Sequence, residues 1–393
     1  MSLGMNVNFL RRLSKLNGLR FPQLDGSDLP SPLVEIADFG SNPGNLRMFS
    51  FVPPELQQPC ALVVVLHGCG QTAAAYDLGA GWSALAKQFG FALLMPEQRR
   101  TNNANTCFNW FNREDSVRDS GEACSIRQMI GYMVATHDAR RISITGLSAG
   151  GAMTSVMLAT YPEVFAAGAI IAGLPYGVAS NLREALDGMF RSPERSPREL
   201  GDLVRKASDY HGAWPKISVW HGSADNTVNP GNADGIVKQW LDLHDLPQAP
   251  MAETVVDGYP RQSWWNADGE TLVESYTITN MAHGTPLGLA DNDQRYGMEG
   301  AFLIEAGISS SYHIAKFFGL TEWIREVEPA SAAAEIATPD PQPALSPAPH
   351  LARSILLAES DQAAALAQTS NRGLRAIIKR ALMATGLMKK GPI

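Results

Sequence analysis

Ala61 to Leu66 is an unbroken apolar run with no polar face, the pattern of a strand buried on both sides within a parallel sheet. Upstream, Leu33 to Phe39 and Leu46 to Val52 have strand character around the turn Ser41-Asn42-Pro43-Gly44, which predicts a hairpin at a sheet edge. Downstream, the pattern predicts a helix from Thr72 to Phe89, a strand from Phe91 to Met95 stopped by Pro96, and a long polar loop from Glu97 to Gly121. A helix from Ser125 to His137 and the β-branched run Ile142 to Thr145 follow, then an Ala- and Met-rich helix after Ser148 and a buried strand from Phe165 to Ala172. Residues 174–215 read as a helical insertion containing prolines and charges, Ile217 to Trp220 as a strand, and Pro230 to His244 as a helix. Leu272 to Thr279 reads as the last strand and Ser309 to Ile324 as a closing helix, while Asp257 precedes a turn with no strand before it. Strands alternating with helices predict an α/β fold, a doubly wound and mostly parallel sheet with helices on both faces.

The same pattern divides the chain. Residues 1–30 form an N-terminal arm with one weak amphipathic stretch, Phe9, Leu10, Leu13 and Leu16, among Arg11, Arg12 and Lys15. Residues 31–328 hold the main domain, and an Ala/Pro-rich linker over 329–350 has no need to pack. The tail, 351–393, reads as partly disordered with a basic amphipathic helix: Leu374, Ile377, Ile378, Ala381 and Leu382 share a face beside Arg375, Lys379 and Arg380. Such a face suits contact with a granule or membrane surface.

Composition narrows the field. Of 393 residues 45% are apolar and 18% charged, below the usual quarter, so a substantial core is expected. A net charge of −7 supplies no basic field and argues against nucleic acid as a partner. No apolar run reaches the about 20 residues that a transmembrane helix needs. The basic N-terminus has no hydrophobic core for a signal peptide. Cys60, Cys69, Cys107 and Cys124 are too few and too scattered for a disulfide scaffold, and no Cys/His cluster points to a metal.

The candidate chemistry centres on Gly146-Leu147-Ser148-Ala149-Gly150, a G-x-S-x-G pattern between a strand and a helix. In that context the serine sits at the apex of a sharp turn, small residues flank it, and the helix N-terminus faces an oxyanion formed there. The bland alternative is a Gly-rich turn kept for packing alone. A serine hydroxyl needs a base and an acid that orients it, and α/β-hydrolases present them in the order Ser, Asp, His. Asp225, on the loop after the strand at Ile217, and His283, after the last strand, fit that order. Asp234 and Asp242 fall inside a helix, and His221, ending a strand, reads as a structural residue. The second oxyanion donor is expected after the strand two before the elbow, where His67-Gly68-Cys69-Gly70 stands, so the N–H of Cys69 pairs with that of Ala149.

LHGCGQ at Leu66–Gln71, CFNWF at Cys107–Phe111, GLSAGGAMT at Gly146–Thr154, YPEVFAAGA at Tyr161–Ala169 and WHGSADNTVNP at Trp220–Pro230 together resemble the polyhydroxybutyrate depolymerase-type esterases, over roughly residues 45–325. The resemblance implies an α/β-hydrolase that cleaves short-chain carboxylic esters through an acyl-enzyme, with the triad Ser148, Asp225 and His283 and no cofactor. Its substrates would be poly(3-hydroxybutyrate) or its oligomers, or else acetylated or feruloylated xylan. A rival of another class is a non-catalytic polymer-surface-binding protein on a hydrolase scaffold. Phe108, Trp110, Trp264 and Trp265 are candidates to line an acyl or sugar subsite, although burial is the commoner fate of such residues. Cys69 and Cys107 both follow strands at the carboxyl edge of the sheet, and the family carries the same two cysteines, so a disulfide between them is expected under oxidising conditions. Many members of the family are secreted, whereas this chain shows no readable signal peptide, so extracellular and cytoplasmic locations both stand open.

Overall fold

The computed structural model describes residues 31–192, 194–288 and 296–321. The N-terminal arm, the linker and the tail lie outside them, as does the end of the expected closing helix.

The first strands, β1 (Val34–Ile36) and β2 (Arg47–Phe51), pair antiparallel as the expected edge hairpin. Next come β3 (Cys60–Leu66), α1 (Ala73–Ala80), α2 (Trp82–Phe89) and β4 (Ala92–Glu97). The helix expected over 72–89 is therefore two, because Gly81 takes φ 76° and starts a new axis. A Cβ at Gly81 would meet Gly297 and Tyr296, so only glycine fits this break. Pro96 does not stop β4 but lies within it: pairing with β3 ends at Leu94, and beyond that point the strand is an edge on that side, where proline is tolerated.

The short α3 (Arg113–Ser116) interrupts the long loop, and α4 (Gly121–His137) starts four residues earlier than expected. Then β5 (Ala139–Leu147), α5 (Ala149–Thr160) and β6 (Ala167–Ile171) follow. The insertion holds α6 (Leu182–Arg191) and α7 (Pro197–Arg205), the latter opened by a Ser196/Glu199 capping box. After β7 (Lys216–Gly222) and α8 (Gly231–Leu243) come two strands that the hydrophobic pattern did not reveal, β8 (Ala252–Val256) and β9 (Tyr259–Trp265), then β10 (Thr271–Ile278). Asp257 thus does follow a strand. A small parallel pair, β11 (Thr285–Leu287) and β12 (Leu303–Glu305), and α9 (Ser310–Phe317) end the described chain.

The main sheet has ten strands in the order β1-β2-β4-β3-β5-β6-β7-β10-β9-β8. From β4 to β10 its neighbours are parallel, and antiparallel hairpins close both edges. Alternate residues of β3 divide between two cores, as the two-residue period of a strand requires. Leu62, Val64 and Leu66 pack with Met129, Met153, Met157 and Trp240 on one face; Ala61, Val63 and Val65 pack with Tyr76, Trp82, Leu85 and Ile314 on the other. Helices therefore cover both faces, and polar groups can collect only where the parallel strands end. The register Leu147–Ile171, Ile171–Trp220 and Trp220–Tyr276 aligns the carboxyl ends of β5, β6, β7 and β10 along one edge.

Candidate active site

Ser148 is the first residue past β5 and holds φ 58° and ψ −116°, a backbone conformation that non-glycine residues rarely adopt. Its N–H donates to Ile171 O at 2.9 Å, which ties the turn to β6. A Cβ on Gly150 would collide with the carbonyl oxygens of Leu66 and His67, and one on Gly146 with Gly150 itself. The helix can start this close to β3 only because both are glycine. Every residue of α5 is buried, Ser148 is half-buried, and the first-turn N–H groups lack acceptors within the helix.

Asp225 follows β7 by three residues. Its Oδ1 accepts from Thr227 and Val228 N–H at 2.8 and 2.9 Å, and its Oδ2 lies 2.6 Å from His283 Nδ1. The loops carrying the two residues are stitched together: Ser223 N–H donates to Ile278 O, Ala224 N–H to Met281 O and Asn280 N–H to Ser223 Oγ. Asp225 and His283 are both buried, and Phe302 stands edge-on to the imidazole at 5.8 Å. Gly284 makes room for the Phe302 carbonyl, a close approach that a side chain would block.

Sequence reasoning set His221 aside, yet it touches the same carboxylate. Its Nε2 lies 3.2 Å from Asp225 Oδ2 and 3.0 Å from Val228 O, while its buried Nδ1 has no hydrogen-bond partner. Burial alone would raise the Asp225 carboxyl, but hydrogen bonds from His221 and His283 outweigh it and hold the group well below the usual carboxylate range. The available signal was the four-residue spacing of His221 and Asp225 across a tight turn.

The loop after β3 is pinned from several sides. His67 is fully buried, accepts from Gln98 N–H at Nε2 (3.1 Å), and so carries its proton on Nδ1, which donates to Gly68 O at 2.8 Å. Burial lowers its pKa and keeps it neutral. Gly68 N–H donates to Gln71 Oε1 and Gly70 N–H to Asn105 O, both at 2.8 Å, one on each side of Cys69. Cys69 is disulfide-bonded to Cys107, with Cα atoms 4.2 Å apart. Beneath this bridge Glu122 accepts from the Gln98 and Asn109 side chains and from Asn109 N–H. Burial and the nearby Asp115 carboxylate push it up to about 8 against those donors.

The four aromatics proposed for a substrate surface need correction. Phe108 and Trp264 are 0% and 1% exposed and have no surface to offer. Phe108 packs on the His67 ring at 4.9 Å, and Trp110 is buried in the core beside Phe111. Trp264 and Trp265 pair with the beginning of β10, because β9 runs antiparallel to it, and so lie at the sheet edge opposite His283. Among the described residues no helix is long and apolar enough to cross a membrane, and no group of three His, Cys, Asp or Glu could hold a metal ion.

The chain is 46% identical to "Poly(3-hydroxyalkanoate) depolymerase C" of Paucimonas lemoignei, over 73% of this chain and 70% of that one. "Acetylxylan esterase" of Coprinopsis cinerea is 32% identical over 65% of this chain and 69% of its own. "Feruloyl esterase B" of Neurospora crassa is 33% identical over 66% and 90%. Among solved structures, acetyl xylan esterase from Aspergillus awamori superposes with a TM-score of 0.61 at 24% identity, covering 73% of this chain and 99% of that one, which establishes the α/β-hydrolase fold. The sequence pattern of the family described as esterase PHB depolymerase matches residues 48–257. With this match, and the identity to the Paucimonas protein, the chain belongs to the esterase PHB depolymerase family and is a carboxylic ester hydrolase.

Proposed function

We propose that Ser148, Asp225 and His283 are the catalytic triad, that the N–H groups of Cys69 and Ala149 form the oxyanion hole, and that the esters cleaved are those of 3-hydroxybutyrate oligomers or polymer. The observation that carries the reading is the 2.6 Å contact between Asp225 Oδ2 and His283 Nδ1, on the edge where the strained Ser148 emerges. With Nδ1–H donated to the carboxylate, Nε2 holds a lone pair and takes the Ser148 proton as Oγ bonds to the ester carbon. The carbonyl π electrons move to oxygen, and the N–H groups of Ala149 and Cys69 stabilise the oxyanion. The Cys69 donor is supported from behind: Gly68 O, in the same peptide unit, is held by His67, and a planar trans peptide directs its N–H the opposite way. His283 then returns the proton to the departing alkoxide. Water, giving a proton to His283, attacks the acyl-enzyme, and Ser148 leaves with that proton as the acid is released.

The higher identity to the depolymerase, 46% against 32–33% for the acetylxylan esterase and feruloyl esterase B, favours hydroxyalkanoate esters. Short acyl chains fit as well, because the insertion bearing α6 and α7 carries Arg183, Glu184, Arg191, Glu194, Arg195 and Arg198 and offers no apolar lid for a lipid tail. Ser148→Ala is expected to abolish turnover of p-nitrophenyl butyrate while the protein stays folded; substantial residual activity in folded protein would end the mechanism. Rates on hydroxybutyrate trimer, acetylated xylan and methyl ferulate decide the substrate, with the trimer expected to be fastest.

A further inference from the structure

A cavity of about 300 Å³ opens between the carboxyl end of β4 and the start of α1, and Gln71, Glu97, Arg99, Arg100, Thr101 and Thr106 are among the residues lining it. Two of these side chains belong equally to the oxyanion loop: Gln71 Oε1 accepts from Gly68 N–H and Thr106 Oγ1 from Gly70 N–H. The cavity therefore shares a wall with that loop. In the sheet order β2-β4-β3-β5 it lies beside β2 and β4, with β3 between it and the elbow.

Its charges do not balance. Glu97 is already matched, with Oε1 at 2.6 Å from Arg47 Nη1 and Oε2 accepting from Ala73 N–H. Arg47 also forms a bidentate pair with Glu35, so one guanidinium serves two carboxylates; the charge of Arg99 is felt at Glu35, and the excess is one positive charge. Arg99 and Arg100 have no carboxylate within ion-pair distance among the described residues; Arg100 reaches only Ala104 O, at 3.4 Å. Arg99 is half-buried and Arg100 exposed where they line the cavity, and the planar guanidinium fork is matched to carboxylates.

We propose that this cavity is a carboxylate subsite and that, given the triad and substrate proposed above, it holds the free acid end of a hydroxyacyl oligomer. Each such oligomer carries a single carboxylate, on the alcohol side of its terminal ester. Anchoring it at Arg99 and Arg100 draws an ester near the chain end over Ser148, so the site favours short oligomers over the interior of a polymer. A uronate on acylated xylan offers the same group.

The test compares 3-hydroxybutyrate trimer as free acid with its methyl ester, which has the same internal scissile bonds and no charge. The free acid is expected to have a KM about tenfold lower, the scale of one charge-assisted hydrogen bond, and the advantage shrinks as salt is added. In the Arg99→Met/Arg100→Met protein, checked for folding by its Tm, the ratio falls to about one, while Arg99→Lys keeps part of it. Calorimetric binding of both trimers to Ser148→Ala gives the same comparison without turnover, so failure of the triad assignment is read separately. Equal KM and Kd for the two trimers, together with equal values for acetylated xylo-oligosaccharides with and without a uronic acid, overturns the subsite, as does a preference that survives in the folded double variant. A preference confined to the uronate pair assigns the same pocket to xylan and removes the oligomer end as its ligand.

Discussion

Asp225 Oδ2 serves two imidazoles, and the more distant one has its own consequence. Both atoms that face His221 Nε2, Val228 O at 3.0 Å and Asp225 Oδ2 at 3.2 Å, are acceptors, so Nε2 carries a proton shared between them. It thereby draws negative charge away from the oxygen that faces His283. In a His221→Phe protein the carboxylate loses a donor that fixes its orientation toward His283, and kcat/KM on p-nitrophenyl butyrate is expected to fall by about tenfold, the scale of one charge-assisted hydrogen bond. His221→Gln, which restores an N–H donor, should recover part of the loss; an unchanged rate in folded His221→Phe would show that His221 only packs. Glu122 is a buried group with a measurable pH effect. Its folded pKa, raised to about 8 by burial and Asp115, lies above that of the unfolded chain. Its stabilising contribution is thus full below about pH 4.5 and is lost as pH rises through 8. Tm should fall over that interval, and the fall should be smaller in Glu122→Gln; equal slopes in the two proteins would refute this.

At the scale of elements, the disulfide joins the oxyanion loop to the long loop after β4 across a sequence separation of 38 residues. Cys107→Ser should lower stability by about 2–4 kcal/mol, seen as a lower Tm, and should reduce kcat/KM as the Cys69 peptide loosens. A variant with unchanged Tm and rate would make the bridge incidental. The strands that position Ser148, Asp225 and His283 were legible because they sit in the middle of the sheet: β3 and β6 are apolar runs, and β5, β7 and β10 carry β-branched or aromatic residues at their buried positions before a loop begins. The hairpin of β8 and β9 was not legible. It forms the far edge, where Glu253, Thr254 and Val255 are exposed, and Pro260 and Arg261 interrupt any apolar period. The legible signal there was the Asp257-Gly258 turn, with φ 47° and 87°. The split between α1 and α2 was visible as Gly81 in an Ala-rich run, but its cause, the approach of Tyr296 and Gly297, comes from far along the chain. The aromatic assignments failed for a similar reason: composition places Trp264 and Trp265 near the last strand but cannot tell which end of it an unseen antiparallel partner presents.

For the whole molecule, the described residues between 31 and 321 contain every group assigned above to catalysis. The Ala/Pro-rich stretch and the tail beyond it are expected to be dispensable on soluble esters, so a chain ending at Ala330 should retain its rate on p-nitrophenyl butyrate. Loss of that rate would make the tail part of the catalytic unit. Order along the chain matters as much as extent. The sheet is not assembled in sequence order at its catalytic end: β7 waits for β10, which arrives only after α8 and the β8–β9 hairpin have been made. On the ribosome, Ser148 and the loop carrying Cys69 emerge early, whereas His283, the base proposed to activate the serine, is among the last parts of the described chain to appear. Until then β7, with six of its seven residues buried in the finished fold, presents an open apolar edge to other nascent chains. A message truncated before Thr271 lacks both β10 and His283, so the proposed triad predicts a product inert as an esterase, with the edge of β7 left unpaired and prone to self-association.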